Sequence, residues 1–179
     1  MPQIEIRPAI ADDIPYLVAL EHDYKSSYVW QMDLSVEDGQ IKATFREIKL
    51  PRPVTVEYPR SVELLLEDWE KRSGLLVAVL QGEPAGYIAV EEGISPKTAW
   101  ITDLVIDFEA RRKGIASALV LAAQELARQR KNRRVILEMQ SKNYAGARLA
   151  SKLGFEFCGY NDHFYSNQDI ALFFAQYIR

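Results

Sequence analysis

The sequence predicts a single α/β domain over residues 1–179, α+β in organisation. A central mixed, mostly antiparallel sheet is flanked by helices and carries an N-terminal β-hairpin as an embellishment. Three observations predict it. Apolar runs separated by turn residues follow one another from Leu75 to Ile106 as a meander of strands. A strand–helix–strand–helix–strand–strand series then completes the chain. Hydrophobic residues make up 48% and charged residues 26% of 179, enough apolar material to bury one core and too much for a disordered chain.

Each element has its own signal. Ile4 to Arg7 alternates as a short strand. Ala11-Asp12-Asp13 offers caps for a helix carrying Ile14, Leu17 and Val18, with Pro15 tolerable in the first turn. Between Tyr28 and Leu50 two alternating runs meet around Glu37-Asp38-Gly39-Gln40, which predicts a hairpin. Tyr28, Trp30 and Met32 are expected to pack in it or to wall a pocket. Pro51, Pro53 and Pro59 predict an extended connector, and Ser61 is expected to cap a helix bearing Val62, Leu65, Leu66 and Trp69. Strands are expected at Leu75–Leu80, Ala85–Glu91 and Ala99–Ile106. A long helix is expected from Gly114 to about Arg130, with Ile115, Ala118, Leu119, Ala122 and Leu126 at helical spacing. A strand from Arg134 to Met139, a helix from Ala145 to Leu153 closed by Gly154, and strands from Phe155 to Tyr160 and Ile170 to Ile178 follow.

Charge and composition exclude several roles. A net charge of −3 makes a poor general binder of nucleic acid or of anionic membrane. No apolar run approaches the roughly 20 residues that span a bilayer, and Met1 to Glu5 lacks the start of a signal peptide. With Cys158 as the one cysteine, no internal disulfide forms. A cytoplasmic location is the expectation. Cys158 is expected to be a buried strand residue. His22 and His163 stand apart, outside any metal-ligand spacing, so no metal is expected. Gly-x-Gly-x-x-Gly and Walker-type loops are absent. The basic cluster Arg128, Arg130, Lys131, Arg133 and Arg134 suits a helix C-terminus in solvent.

The informative segment is Asp103-Leu104-Val105-Ile106-Asp107-Phe108-Glu109-Ala110-Arg111-Arg112-Lys113-Gly114-Ile115-Ala116-Ser117. An apolar strand ends in a basic loop, and a long helix starts at once. A helix N-terminus presents unpaired N–H groups and the positive end of a dipole. Gly114 allows close backbone approach, Ala116 leaves the first turn uncrowded, and Arg111, Arg112 and Lys113 add positive charge suited to phosphates.

Here the chain resembles the GNAT superfamily of N-acetyltransferases. Arg111-x-x-Gly114-x-Ala116 matches its Arg/Gln-x-x-Gly-x-Gly/Ala signature. Glu83-Pro84-Ala85-Gly86-Tyr87-Ile88 resembles an earlier strand entry, and Asn143 with Ser151-Lys152-Leu153-Gly154-Phe155 resembles the closing motif. Three motifs in order are far more specific than one. The early hairpin and the tail Cys158-Gly159-Tyr160 with Phe164-Tyr165 add a weaker resemblance to streptothricin-type acetyltransferases.

The resemblance implies acetyl-CoA as cofactor and a primary amine of a small molecule or peptide as substrate, acetylated by direct attack. It implies that the amides from Lys113 to Ser117, Ile115 among them, hold the pyrophosphate. Leu104, Val105 and Ile106 would pair with the pantetheine arm, their N–H groups would steady the developing oxyanion, and Asn143 would contact the cofactor. An alkylammonium needs a base at neutral pH. Asp103 holds the expected place, with Glu91 or Glu92 as the alternative because strand register is open to one residue. One departure stands out. Many relatives carry a tyrosine acid where this chain has Ala150, so Tyr144, Ser151, Tyr160 or solvent would have to replace it. That departure supports an alternative, a non-catalytic acyl-CoA-binding sensor. A homodimer through an exposed edge at Ala171-Leu172-Phe173-Phe174 is a further expectation.

Overall fold

A computed structural model describes residues 3–179; Met1 and Pro2, part of the N-terminal reading above, lie outside the described residues. The elements are β1 (Ile4–Pro8), α1 (Ile14–Ala19), β2 (Tyr24–Glu37), β3 (Gln40–Val56), α2 (Leu64–Asp68), β4 (Gly74–Leu80), β5 (Glu83–Glu91), β6 (Thr98–Ile106), α3 (Ile115–Gln129), β7 (Arg134–Gln140), α4 (Tyr144–Lys152), β8 (Glu156–Asn161) and β9 (Ala171–Tyr177). One sheet runs β1-β4-β5-β6-β7-β9-β8, and β2 with β3 forms a separate hairpin. Every neighbouring pair is antiparallel except β6 with β7. The mixed, mostly antiparallel sheet and the hairpin are those the sequence predicts.

Apolar residues cover both faces of the sheet. Ile88, Val90, Ile101, Val135 and Leu137 pack with Ile115, Leu119, Val120 and Ala123, so the apolar stripe of α3 faces the sheet. On the other face Val77, Tyr87, Ala89 and Val105 pack with Ile14 and Leu17 of α1 and Leu65 of α2. Gly86 sits where two strands nearly touch: a Cβ there would lie 2.6 Å from the Val105 carbonyl oxygen. The glycine of the resembling strand entry is thus required by the close approach of β6.

The joint between β6 and β7 positions the functional site. They pair only from Thr98↔Arg134 to Ile101↔Leu137 and then part. At the same point β6 bulges. Asp103 pairs with Ala89 and Ile101 with Val90, so Thr102 opposes no residue of β5. In a regular strand Ile101 and Asp103 would share a face. Here Ile101 packs under α3 while Asp103 meets Tyr58, Arg60 and Arg72 on the opposite side.

Four expectations are corrected. Pro51 and Pro53 lie inside β3, not in a connector. Ser26 pairs with Val54 and Tyr28 with Lys49, so both prolines sit in a bulge, where ladder bonds are already lost. Ser61 does not cap α2; its hydroxyl donates to Glu63 Oε2 (2.6 Å), and the helix starts at Leu64 with no side-chain cap. Cys158 is exposed, because β8 is the outer strand of the sheet. Finally, β9 cannot offer a dimer edge, since β7 and β8 pair with it on both sides. The hairpin turn follows its signal: Asp38 and Gly39 both have positive φ (51° and 72°), as an Asp-Gly turn of this kind requires.

Candidate active site

The loop after β6 curls its main chain into a nest. Arg112 (φ 65°) and Gly114 (φ 82°) are left-handed, and Gly114 caps α3. Among the described residues, no backbone N–H from Arg112 to Ser117 finds an acceptor; pairing resumes with Ala118 N–H donating to Gly114 O (3.0 Å). Those N–H groups, at the positive end of a 15-residue helix, favour an anion. The three basic side chains divide their work. Arg111 donates to the carbonyls of Ile106 (3.1 Å), Glu21 (3.2 Å) and Asp23 (3.3 Å), and so ties the loop to the entry of β2. Lys113 Nζ donates to Glu109 O (2.9 Å). Arg112 is exposed.

Beside the nest lies the gap between β6 and β7. The Thr102 and Ile106 carbonyls are taken by Arg60 Nη1 (2.9 Å) and Arg111 Nε (3.1 Å). Leu104, the alternate residue between them, turns its main-chain groups toward the same vacated side. Val105 lies opposite Tyr87 of β5.

At the fork sits a buried acidic pair. The side chains of Asp103 and of Glu138, on β7, are each 3% exposed. Asp103 Oδ2 accepts from Thr102 Oγ1 (2.8 Å) and Arg72 Nη1 (3.1 Å), and Oδ1 accepts from Tyr58. Glu138 Oε1 accepts from Arg60 Nη2 and from Tyr165 Oη (3.1 Å). Arg60 Nη1 stands 3.6 Å from Asp103 Oδ1, so this guanidinium bridges the two carboxylates. Burial, and after it the charge of Glu138, pushes the Asp103 carboxyl up to about 7. A carboxyl titrating near neutrality can exchange a proton with an amine.

The remaining sequence candidates fall elsewhere. Glu91 pairs with Trp100, three residues before Asp103 along β6 or roughly 10 Å away. It accepts from Ser73 Oγ (3.3 Å), while Glu92 accepts from Arg130 and Asn132. The structure does not bring these glutamates to the fork. Asn143 caps α4, its Oδ1 accepting from Gly146 N–H (2.8 Å). Tyr144 stacks on Tyr28 (4.7 Å between rings) and donates to Glu47 (3.1 Å), so its hydroxyl serves the hairpin. Tyr160 packs edge-on against Phe45, Ser151 is exposed, and Ala150 is sealed in the core. The sequence gives no role to Glu138, Arg60 or Tyr58, and Tyr165 enters only through the tail motif. The available signal for the first three was Glu138 itself, a charge inside the apolar run Val135-Ile136-Leu137-Glu138-Met139.

The profile of the acetyltransferase (GNAT) family matches residues 41–155, well over half of the chain. The chain belongs to that family. This acetyltransferase uses acetyl-CoA as its acetyl donor. It is 27% identical over 166 residues to the streptothricin acetyltransferase of Streptomyces lavendulae, covering 90% of this chain and 86% of the relative. Its fold matches the crystal structure of a nourseothricin acetyltransferase with a TM-score of 0.83 at 23% identity, over 98% of this chain and 99% of the other. It also matches a streptothricin acetyltransferase candidate from Bacillus anthracis str. Ames, solved with acetyl coenzyme A, with a TM-score of 0.76 at 18% identity over 98% and 100% of the two chains. No helix among the described residues is long and apolar enough to cross a membrane.

Proposed function

We propose that this acetyltransferase acetylates a primary amine on a cationic small molecule of the streptothricin class, by direct attack of the amine on the thioester. The observation that carries the reading is the buried pair Asp103–Glu138 at the fork of β6 and β7. Two buried carboxylates at one fork suit an ammonium better than a neutral or anionic acceptor. The likeness to the streptothricin acetyltransferase of S. lavendulae supports the same substrate class.

The residues present fit the donor. The unpaired N–H groups from Arg112 to Ser117 match the needs of a pyrophosphate, with Arg112 adding charge at its edge. Leu104 offers its main chain to the amides of a pantetheine arm, as an added strand would be met; Val105 and Ile106 shape that edge. Asn143 keeps its amide nitrogen for the same ligand while its oxygen caps α4. When bound, acetyl-CoA supplies an activated acetyl thioester. Asp103 then takes the amine's proton, directly or through Tyr58, whose hydroxyl already donates to it. N–H groups of the β6 edge stabilise the oxyanion. Ala150 offers no acid where a tyrosine would stand, and with an ordinary thiol pKa of about 8.5 the departing group would not require one from the protein.

The test is free-thiol release from acetyl-CoA across streptothricin, aminoglycosides, polyamines, amino acids and lysine- or N-terminal peptides. Release with streptothricin well above the other classes is expected. Release confined to peptides would reject the small-molecule reading. Stabilisation by acetyl-CoA with no release from any amine would favour the sensor alternative, which Ala150 supports.

A further inference from the structure

We infer that Arg60 is the resident occupant of a cation cage, and that the positively charged group of the acceptor takes its place; the inference rests on the amine-acetylating reading above. Glu138 accepts from Arg60 Nη2, the Thr102 carbonyl accepts from Nη1 at 2.9 Å, and Asp103 Oδ1 stands 3.6 Å from Nη1. The Tyr165 ring lies 5.2 Å from the guanidinium carbon, close enough for a cation–π contact. Three of these groups stand on strands β6 and β7. Arg60 does not. It reaches in from the irregular connector between β3 and α2, and its side chain is 26% exposed.

The charges support exchange. With Arg60 withdrawn, Asp103 keeps Arg72 Nη1 at 3.1 Å as its counter-ion, and Glu138 is left without a cation. One unpaired carboxylate, a carbonyl and an aromatic face make a site for one monocation. Departure of Arg60 also removes the side chain that spans Thr102 and Glu138, the first residues past the last β6–β7 pair. The cage therefore frees the fork when it exchanges one cation for another. A site occupied by its own side chain binds ligand with an affinity reduced by the fraction of time it is open.

The test uses the full chain and three readouts. Arg60→Ala should lower the acceptor KM about tenfold, for a cage open about a tenth of the time, with kcat changed far less. A raised or unchanged KM overturns the inference. Methylguanidinium is the direct probe: it should raise the Tm of Arg60→Ala at about a tenth of the concentration that wild type needs and leave Arg60→Ala/Glu138→Gln unmoved. Failure to stabilise Arg60→Ala overturns the cage. Should that variant not fold, wild type decides. Phenylglyoxal modification of Arg60, followed by mass spectrometry with acceptor and no acetyl-CoA, should quicken, and a slower or unchanged rate counts against displacement. Absence of thiol release from every amine would instead sink the acetylation reading, while methylguanidinium binding would stand by itself.

Discussion

Replacing Asp103 with Asn removes a carboxyl that burial and Glu138 hold at about 7 instead of its ordinary 3.8. The folded protein binds this proton more tightly than the unfolded chain does. The stability it contributes is complete below the unfolded value and is lost as pH rises through about 7. At about 1.4 kcal/mol per pH unit, the whole window amounts to about 4 kcal/mol, of which roughly 3 falls between pH 5 and pH 8. Asparagine keeps the shape and does not titrate. Urea unfolding at pH 5 and pH 8 should therefore swing the stability difference by roughly 3 kcal/mol in favour of Asp103→Asn at the higher pH. The same carboxyl should appear in the rate. Acetyl transfer by the wild type should climb through about pH 7, and the variant should be slow and lack that step. Parallel stability curves would refute the reasoning, as would a wild type that gains on the variant with pH; either would mean that Arg72 and Arg60 overcome burial and hold the carboxylate charged.

Gly114→Ala forces a Cβ onto a residue at φ 82° with nothing else within 4 Å, so it should cost about 1 kcal/mol of stability and raise the acetyl-CoA KM; an unchanged KM would separate the nest from the cofactor. Ala150→Tyr puts a ring into a fully buried site and should destabilise by about 1–3 kcal/mol or more without raising kcat, so a faster enzyme would show that an acid is simply missing. Asn143→Ala loses the bond to Gly146 N–H and should cost about 1 kcal/mol in urea unfolding. Acetyl-CoA at about 100 times its Kd should add roughly 2.7 kcal/mol to the same transition, a gain that Gly114→Ala should reduce.

The loop between β6 and α3 was legible because its signal is local: an apolar strand, Gly114 and a helix stripe follow one another without a gap. The hairpin was legible for the same reason, through Asp38-Gly39. Alternation could nominate Asp103 but could not orient it, since the bulge at Thr102 changes its face and no residue type announces that bulge. The prolines of β3 misled because a proline reports a missing ladder bond, which a bulge supplies as readily as a connector. Glu138, Arg60, Tyr58 and Tyr165 are separated by up to 107 positions along the chain and meet only where two strands part. Ion pairs of that kind have no period.

The four residue pairs that join β6 to β7 divide the sheet into two panels, β1-β4-β5-β6 and β7-β9-β8, hinged along one short seam. A seam so short opens at lower cost than the rest of either panel, and amides beside it should exchange with solvent well before those of β4 and β5. A ligand laid along the gap rivets the two panels together. Hydrogen exchange with acetyl-CoA should therefore slow across Leu104–Ile106 and out along Glu138–Gln140, on the panel that carries none of the amides from Arg112 to Ser117.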